Sequence, residues 1–211
     1  MNYLEYFSDR ILTGETIHLE KSHEVHNFID THKEKFRQQD VRDVASNDKK
    51  TVRNDSELYR DASALLIEVA LCIVLPDTIR NPLEHNKKIL ESYAYDCVNT
   101  SLKRRFTFEC KKMWTSQSWF TYPCKPYDKM RRKAPLIDFV AIAKMDESTT
   151  HYHVLFTMLT TISSFMNNKK LSLYNKDEDG KDKTPRYCYF HNNSQCRHIP
   201  DLTRRPEQNE Y

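Results

Sequence analysis

Glycine is nearly missing from this chain: Gly14 and Gly180 are the only two in 211 residues, where ~7% is usual. That scarcity excludes glycine-rich loops that cradle phosphates and argues against a β-sandwich with many tight turns. No run approaches the ~18 apolar residues that a membrane-spanning helix needs. The opening MNYLEYFSDR is acidic and has no apolar stretch, so neither a membrane partner nor a secretory leader is expected. Six cysteines at 72, 97, 110, 124, 188 and 196 form no compact disulfide framework. They fit a reducing compartment, cytoplasmic or nuclear, in which thiols stay reduced or bind metal. Gly-x-Gly-x-x-Gly, Walker, Gly-x-Ser-x-Gly and His-Glu-x-x-His signatures are all missing, so no motif fixes a reaction.

Apolar residues make up 38% of the chain and charged ones 30%, against the usual ~45–50% and ~25%. A modest core with long polar excursions follows. The positive charge is concentrated. From Lys103 to Lys133, KRRFTFECKKMWTSQSWFTYPCKPYDKMRRK, ten Lys/Arg meet only Glu109 and Asp128, and seven aromatics are interleaved. This segment carries +8 in a chain of net charge +3, so the remainder is acidic.

Clustered cations attract polyanions, and aromatic faces offer stacking platforms for unpaired bases. The sequence therefore predicts that Lys103, Arg104, Arg105, Lys111, Lys112, Arg131, Arg132 and Lys133 contact phosphates while Trp114, Trp119 and Tyr122 stack bases. Two other readings stand beside this one. In the first, Phe106, Phe108 and one Trp are core and the lysines solvate a face; in the second, KMRRK is a nuclear localisation patch.

A second constellation is CYFHNNSQCRH, with Cys188, His191, Cys196 and His198. Thiolate and neutral imidazole are the ligands of tetrahedral structural zinc, so a zinc ion is the candidate cofactor. The CRHIPDL end resembles the latter half of a SWIM-type zinc motif, although Cys188 lacks the second Cys of that motif's first half. A Tyr/Phe-rich hairpin with spectator thiols is the alternative.

A third is Glu109-Cys110-Lys111, which has the Glu-x-Lys form seen in metal-dependent nucleases. There carboxylates hold the ion and lysine stabilises charge on the attacked phosphate. Glu68 and Asp138 are expected to complete the carboxylate set. The strand aspartate that should pair with Glu-x-Lys is not found by pattern, because Asp96 falls in a predicted helix.

Periodicity predicts helices over 3–12, from Ser22 through Phe36, from Ser56 to Pro76, from Pro82 to Leu102, and from His151 to Met166. Glu68, on the apolar third helix, is expected at a polar rim or in an ion pair. On a helix His151 and His153 face apart and do not share an ion. Strands are predicted at 105–111 and 135–144, with a C-terminal hairpin around NKDEDGKDKTP.

The expected organisation is an N-terminal helical region (1–37), a polar linker or loop (38–55), a main α+β domain (56–200) and a disordered tail (201–211). The expected fold is a helix-dominated α+β domain with a small antiparallel or mixed sheet. The leading function is a non-catalytic, intracellular nucleic-acid-binding or regulatory protein, with RNA or DNA left open and a viral source among the expectations. The alternatives are a protein-interaction module that oligomerises through residues 58–74, and the metal-dependent nuclease.

Overall fold

A computed structural model describes residues 2–47, 50–81, 95–113, 120–123, 134–167, 170–171, 186–189 and 196–198, by backbone alone at 120–123, 134, 166–167 and from 170 onward. The N-terminal elements are α1 (Tyr3–Ile11), β1 (Ile17–Glu20), α2 (His23–Ala45), α3 (Asp55–Ala64), α4 (Leu66–Val74) and β2 (Thr78–Arg80). After them come β3 (Cys97–Asn99), β4 (Phe106–Met113), β5 (Phe120–Pro123), β6 (Phe139–Glu147), β7 (His151–Thr161), a short α5 (Ile162–Asn167), β8 (Lys170–Leu171), β9 (Arg186–Tyr189) and β10 (Cys196–His198).

The sheet, not the helices, organises the molecule. Six strands run in the order β1-β7-β6-β4-β3-β2, and β10 pairs with the far half of β7 on the edge that β1 also uses. Every pairing is antiparallel except β4 with β6, which is parallel from Phe108↔Phe139 to Met113↔Lys144. A curled mixed sheet of this size overturns the expected helix-dominated fold. The chief cause is HYHVLFTMLTT, predicted as helix and observed as the eleven-residue β7. From Phe156 to Thr160 both faces of the strand are buried, and such a stretch carries no two-residue alternation by which periodicity could separate it from a core helix. Cys97–Asn99, placed at the end of another predicted helix, is likewise a strand, while residues 82–94 lie outside the described residues.

Alternation along β4 and β6 sends Phe106, Phe108, Cys110, Phe139, Ala141, Ala143 and Met145 into one core with residues of α1 and α4. Phe7 of α1 is fully buried, with ring centroids 5.1, 5.2 and 5.3 Å from Phe106, Phe108 and Phe139 in edge-to-face contacts, the arrangement the aromatic quadrupole favours. The β6–β7 ladder slips by one residue between Ile142 and Ala143, where Thr157 sits buried and donates its hydroxyl to the Ile142 carbonyl. Leu58, Ala62, Leu66, Ile67, Ala70 and Leu71 are buried inside the chain's own fold, and Ile73 is exposed. The stripe proposed as an oligomer seam is thus largely covered by the chain's own fold, with Leu65, Val69 and Val74 half-buried and Ile73 exposed.

The helix boundaries moved for identifiable reasons. Ser22 caps α2 as expected, accepting from the Val25 N–H. The helix then runs through QQDVRDVA to Ala45, because the buried Asp40 carboxylate is held by Arg53. The next helix starts two residues earlier than its pattern suggests: Asn54 caps it in a reciprocal box with Glu57, so Ser56 is already helical. It breaks at Leu65, dividing one predicted helix into α3 and α4; nothing in the local sequence explains the break. Asn54→Ala should cost about 1 kcal/mol, read as a midpoint shift of roughly 2–4 °C in thermal unfolding. An unchanged midpoint would show the box to be idle.

Among the described residues no helix is long and apolar enough to cross a membrane. The fragments β8 and β9 are antiparallel, as the hairpin expectation required, but they join β5 in a separate three-stranded sheet. Phe120–Pro123, inside the basic segment, is thus also a strand. The tail at 201–211 lies outside the described residues.

Candidate carboxylate and lysine site

The pairing of β3 with β4 stops early, and a cluster of charges gathers where it stops. β3 meets β4 only at Cys97↔Phe108, Val98↔Thr107 and Asn99↔Phe106. Beyond that point the Asp96 N–H donates to the Phe108 carbonyl (2.8 Å), and the Asp96 carboxylate accepts the next available N–H of β4, that of Cys110 (2.7 Å). Glu109 and Lys111, two apart on a strand, share one face. Lys111 Nζ donates to Glu109 Oε1 and to the Cys110 carbonyl, and it stands 3.9 Å from Asp96 Oδ2. Asp96 is no helix residue; it lies beside the Glu-x-Lys strand, the position left empty in the sequence pattern.

Glu68 approaches from α4. It is buried, accepts from Arg80 Nε at 2.8 Å, and is close enough to Lys111 and Glu109 for their charges to act on it. The ion-pair expectation for Glu68 is met, with Arg80 of β2 as partner. Asp138 does not join the cluster. Its carboxylate accepts from the Thr107 N–H (2.9 Å), the Thr107 hydroxyl (3.2 Å) and Arg104 (3.3 Å), which fastens the start of β6 to β4.

The electrostatics are those of crowded carboxylates. Burial pushes the Asp96 carboxyl up to about 7; Lys111 draws it down, and the neighbouring Glu109 and Glu68 drive it up. Burial also raises Glu68, against the pull of Arg80. Asp96 nevertheless keeps 24% of its side chain exposed, against 10% for Glu109, so the site opens at the aspartate. The thiols nearby are held in their protonated form. At Cys110 the hydrogen bond from Cys97 lowers the thiol, yet burial and the adjacent Asp96 and Glu68 carry it up to about 11. Cys72 and Cys97 are raised as well, each by the hydrogen bond between neighbouring thiols or by burial.

A hard divalent cation takes oxygen ligands, and Asp96, Glu109 and Glu68 offer three carboxylates against two fixed cations. As the side chains stand, no three ligating groups among the described residues converge on one point. The positive charge between Glu109 and Asp96 is supplied by Lys111 itself. The carboxylate oxygens of Asp96 and Glu109 are the donor type that a hard divalent cation takes.

The basic segment divides. Arg104 is exposed, lies 4.1 Å from the Phe106 ring centroid and bonds Asp138; Arg105 lies 4.9 Å from the centroid of Tyr95. Lys103 precedes them in the same exposed loop. Lys112 is partly buried, and that burial holds its ammonium below the ordinary lysine range. Its neighbour Lys111 points into the carboxylates. A stretch read as one phosphate-binding face is thus already split within β4. Tyr122 lies on β5 in register with Tyr187. Trp114, Trp119, Arg131, Arg132 and Lys133 lie outside the described residues.

For the zinc candidates, Cys188 is on β9 opposite Thr121, while Cys196 and His198 are on β10 opposite Thr160 and Met158. These are strands of two different sheets. His191 lies outside the described residues.

No protein-family model, curated protein or solved structure matches this chain.

Proposed function

We propose that the protein is a metal-dependent nucleic-acid-cleaving enzyme, with Asp96, Glu109 and Lys111 at its centre and Glu68 in support. One observation carries the reading. An aspartate at the start of β3 and a Glu-x-Lys on the adjacent β4 sit at the point where the two strands part, and a helix carboxylate is directed toward them. Mg²⁺ or Mn²⁺, when bound, polarises a phosphoryl oxygen and lowers the pKa of water. Asp96 and Glu109 hold and orient the charge, and Glu68 is fixed by Arg80. Lys111 bears the charge that develops on the attacked phosphate. The exposed Lys103-Arg104-Arg105 loop precedes the strand that carries Glu109 and Lys111 and adds positive charge that attracts a polyanion.

The test is incubation of the full chain with labelled single- and double-stranded DNA and RNA, with Mg²⁺, Mn²⁺ or EDTA, across a salt series. Cleavage that needs the metal is the expected result. A steep fall of affinity with salt, without cleavage in any metal, would instead support the non-catalytic nucleic-acid-binding reading. No retention at low salt would remove both and turn attention to protein partners.

A further inference from the structure

At the other end of the sheet, three histidines meet on one face. His18 of β1 and His153 of β7 are direct cross-strand partners, and His151 lies two residues from His153, on the same side of the strand. The helical reading had set His151 and His153 apart; the strand brings them together. His18 Nδ1 and His153 Nδ1 are 2.7 Å apart. Both rings cannot donate along that line, so at least one nitrogen presents a lone pair to the other.

We propose that His18, His153 and His151 form a binding site for a borderline transition-metal ion of the Zn²⁺ class, separate from the carboxylate and lysine site. Two imidazole nitrogens on one tetrahedral ion, each at ~2.0–2.1 Å, stand about 3.3 Å apart with ring centroids about 5.2 Å apart. The His18–His153 nitrogens need to part by only about 0.6 Å to reach this. The centroid separations are 4.9 Å for His18–His153, 6.3 Å for His18–His151 and 6.1 Å for His151–His153. The His18–His153 separation is within about 0.3 Å of the tetrahedral requirement, whereas those to His151 exceed it by about 0.9–1.1 Å; the three rings do not converge as they stand, and His151 must turn toward the pair to complete the site.

Part of a supporting shell is present at His151. His151 Nδ1 is hydrogen-bonded to Thr150 Oγ1 at 2.9 Å, which leaves Nε2 as its ligating atom. A partner on the second ring nitrogen is what orients a metal-binding histidine. Acidic side chains flank the rings: Glu20 is opposite His151, and Asp146 is opposite His153 on β6. Both are exposed and add negative potential for a cation. The backbone is fixed, because Ile17↔Val154 and Leu19↔Tyr152 bracket the His18↔His153 pair. Nitrogen donors select Zn²⁺ over the Mg²⁺ or Mn²⁺ suited to carboxylates, so the two sites take different ions. A bound ion joins β1 to β7 and thereby ties the connection between α1 and α2 to the sheet.

Equilibrium dialysis of the full chain against Zn²⁺ tests this, with His18→Ala/His153→Ala, His151→Ala, Cys188→Ser/Cys196→Ser and Asp96→Asn compared with the unaltered protein. The unaltered chain should bind one equivalent more than the His18→Ala/His153→Ala variant. His151→Ala should weaken that equivalent by at least ~10-fold. The cysteine and Asp96 variants should retain it, and Co²⁺ in its place should give tetrahedral absorption without a thiolate charge-transfer band. Zn²⁺ should also raise the unfolding midpoint of the unaltered chain more than that of the double histidine variant. The proposal is overturned if the unaltered chain and the double histidine variant, with matching midpoints in EDTA, bind the same number of equivalents, or if the cysteine variant alone loses the ion.

Discussion

If the proposed function holds, Glu109→Gln and Lys111→Ala should each lower metal-dependent cleavage by at least ~10²–10³-fold, the usual cost of deleting one preorganised electrostatic group from a reaction centre. Asp96→Asn does the same, and it separates function from stability. The Asp96 carboxyl is raised to about 7 in the folded chain from an ordinary value of 3.8. The native state therefore holds this proton more tightly than the unfolded state, and stability falls as pH rises from about 4 to about 7. In EDTA at pH 8, Asp96→Asn should unfold roughly 1–3 kcal/mol later than the unaltered chain, and the gain should vanish below pH 4. Asparagine still accepts the Cys110 N–H, so the local turn survives. A variant more stable yet inactive marks a site under functional load, because a structural aspartate would lose stability when neutralised. Destabilisation at pH 8 together with full activity would sink the proposed function.

Arg53→Ala should cost about 3–5 kcal/mol, the penalty for disrupting a buried ion pair, and lower the midpoint by roughly 10 °C. Asp40 is 1% exposed on α2, and Arg53 reaches it with a two-pronged fork, Nε to Oδ2 at 2.8 Å and Nη2 to Oδ1 at 2.9 Å. The third guanidinium nitrogen bonds Asp61 of α3 at 2.6 Å. One side chain thus joins the end of α2 to α3 across the intervening loop. Arg53→Lys keeps the charge but loses the fork, and should fall between the two. The double change Asp40→Leu/Arg53→Met should recover much of the loss, since the penalty comes from burying a carboxylate without its arginine. A loss below 1 °C for Arg53→Ala, followed by denaturant and heat, would show that Asp40 does not depend on the fork.

Short-range chemistry was legible in the residues. Ser22 caps a helix, Gly14 takes φ +81° after α1, Phe106, Phe108 and Cys110 alternate, and Glu109 and Lys111 stand two apart. Each depends on neighbours a few positions away, so the sequence by itself determined α1, β1, the start of α2, β4 and the Glu-x-Lys pair. Burial of both faces over Phe156–Thr160 hid β7, because a stretch covered on both sides carries no two-residue period. Asp96 was hidden for a related reason. Its role depends on β3 ending beside β4, and no local pattern marks where two strands separate. His18 and His153 are 135 residues apart, and only the register of β1 on β7 makes them neighbours. The helical reading divided His151 from His153 by a period of 3.6, and the strand joined them by a period of 2. The residues supplied the ligands, the charges and the caps; tertiary structure decided which of them meet, because pairing register and sheet closure are set by the burial of the whole core.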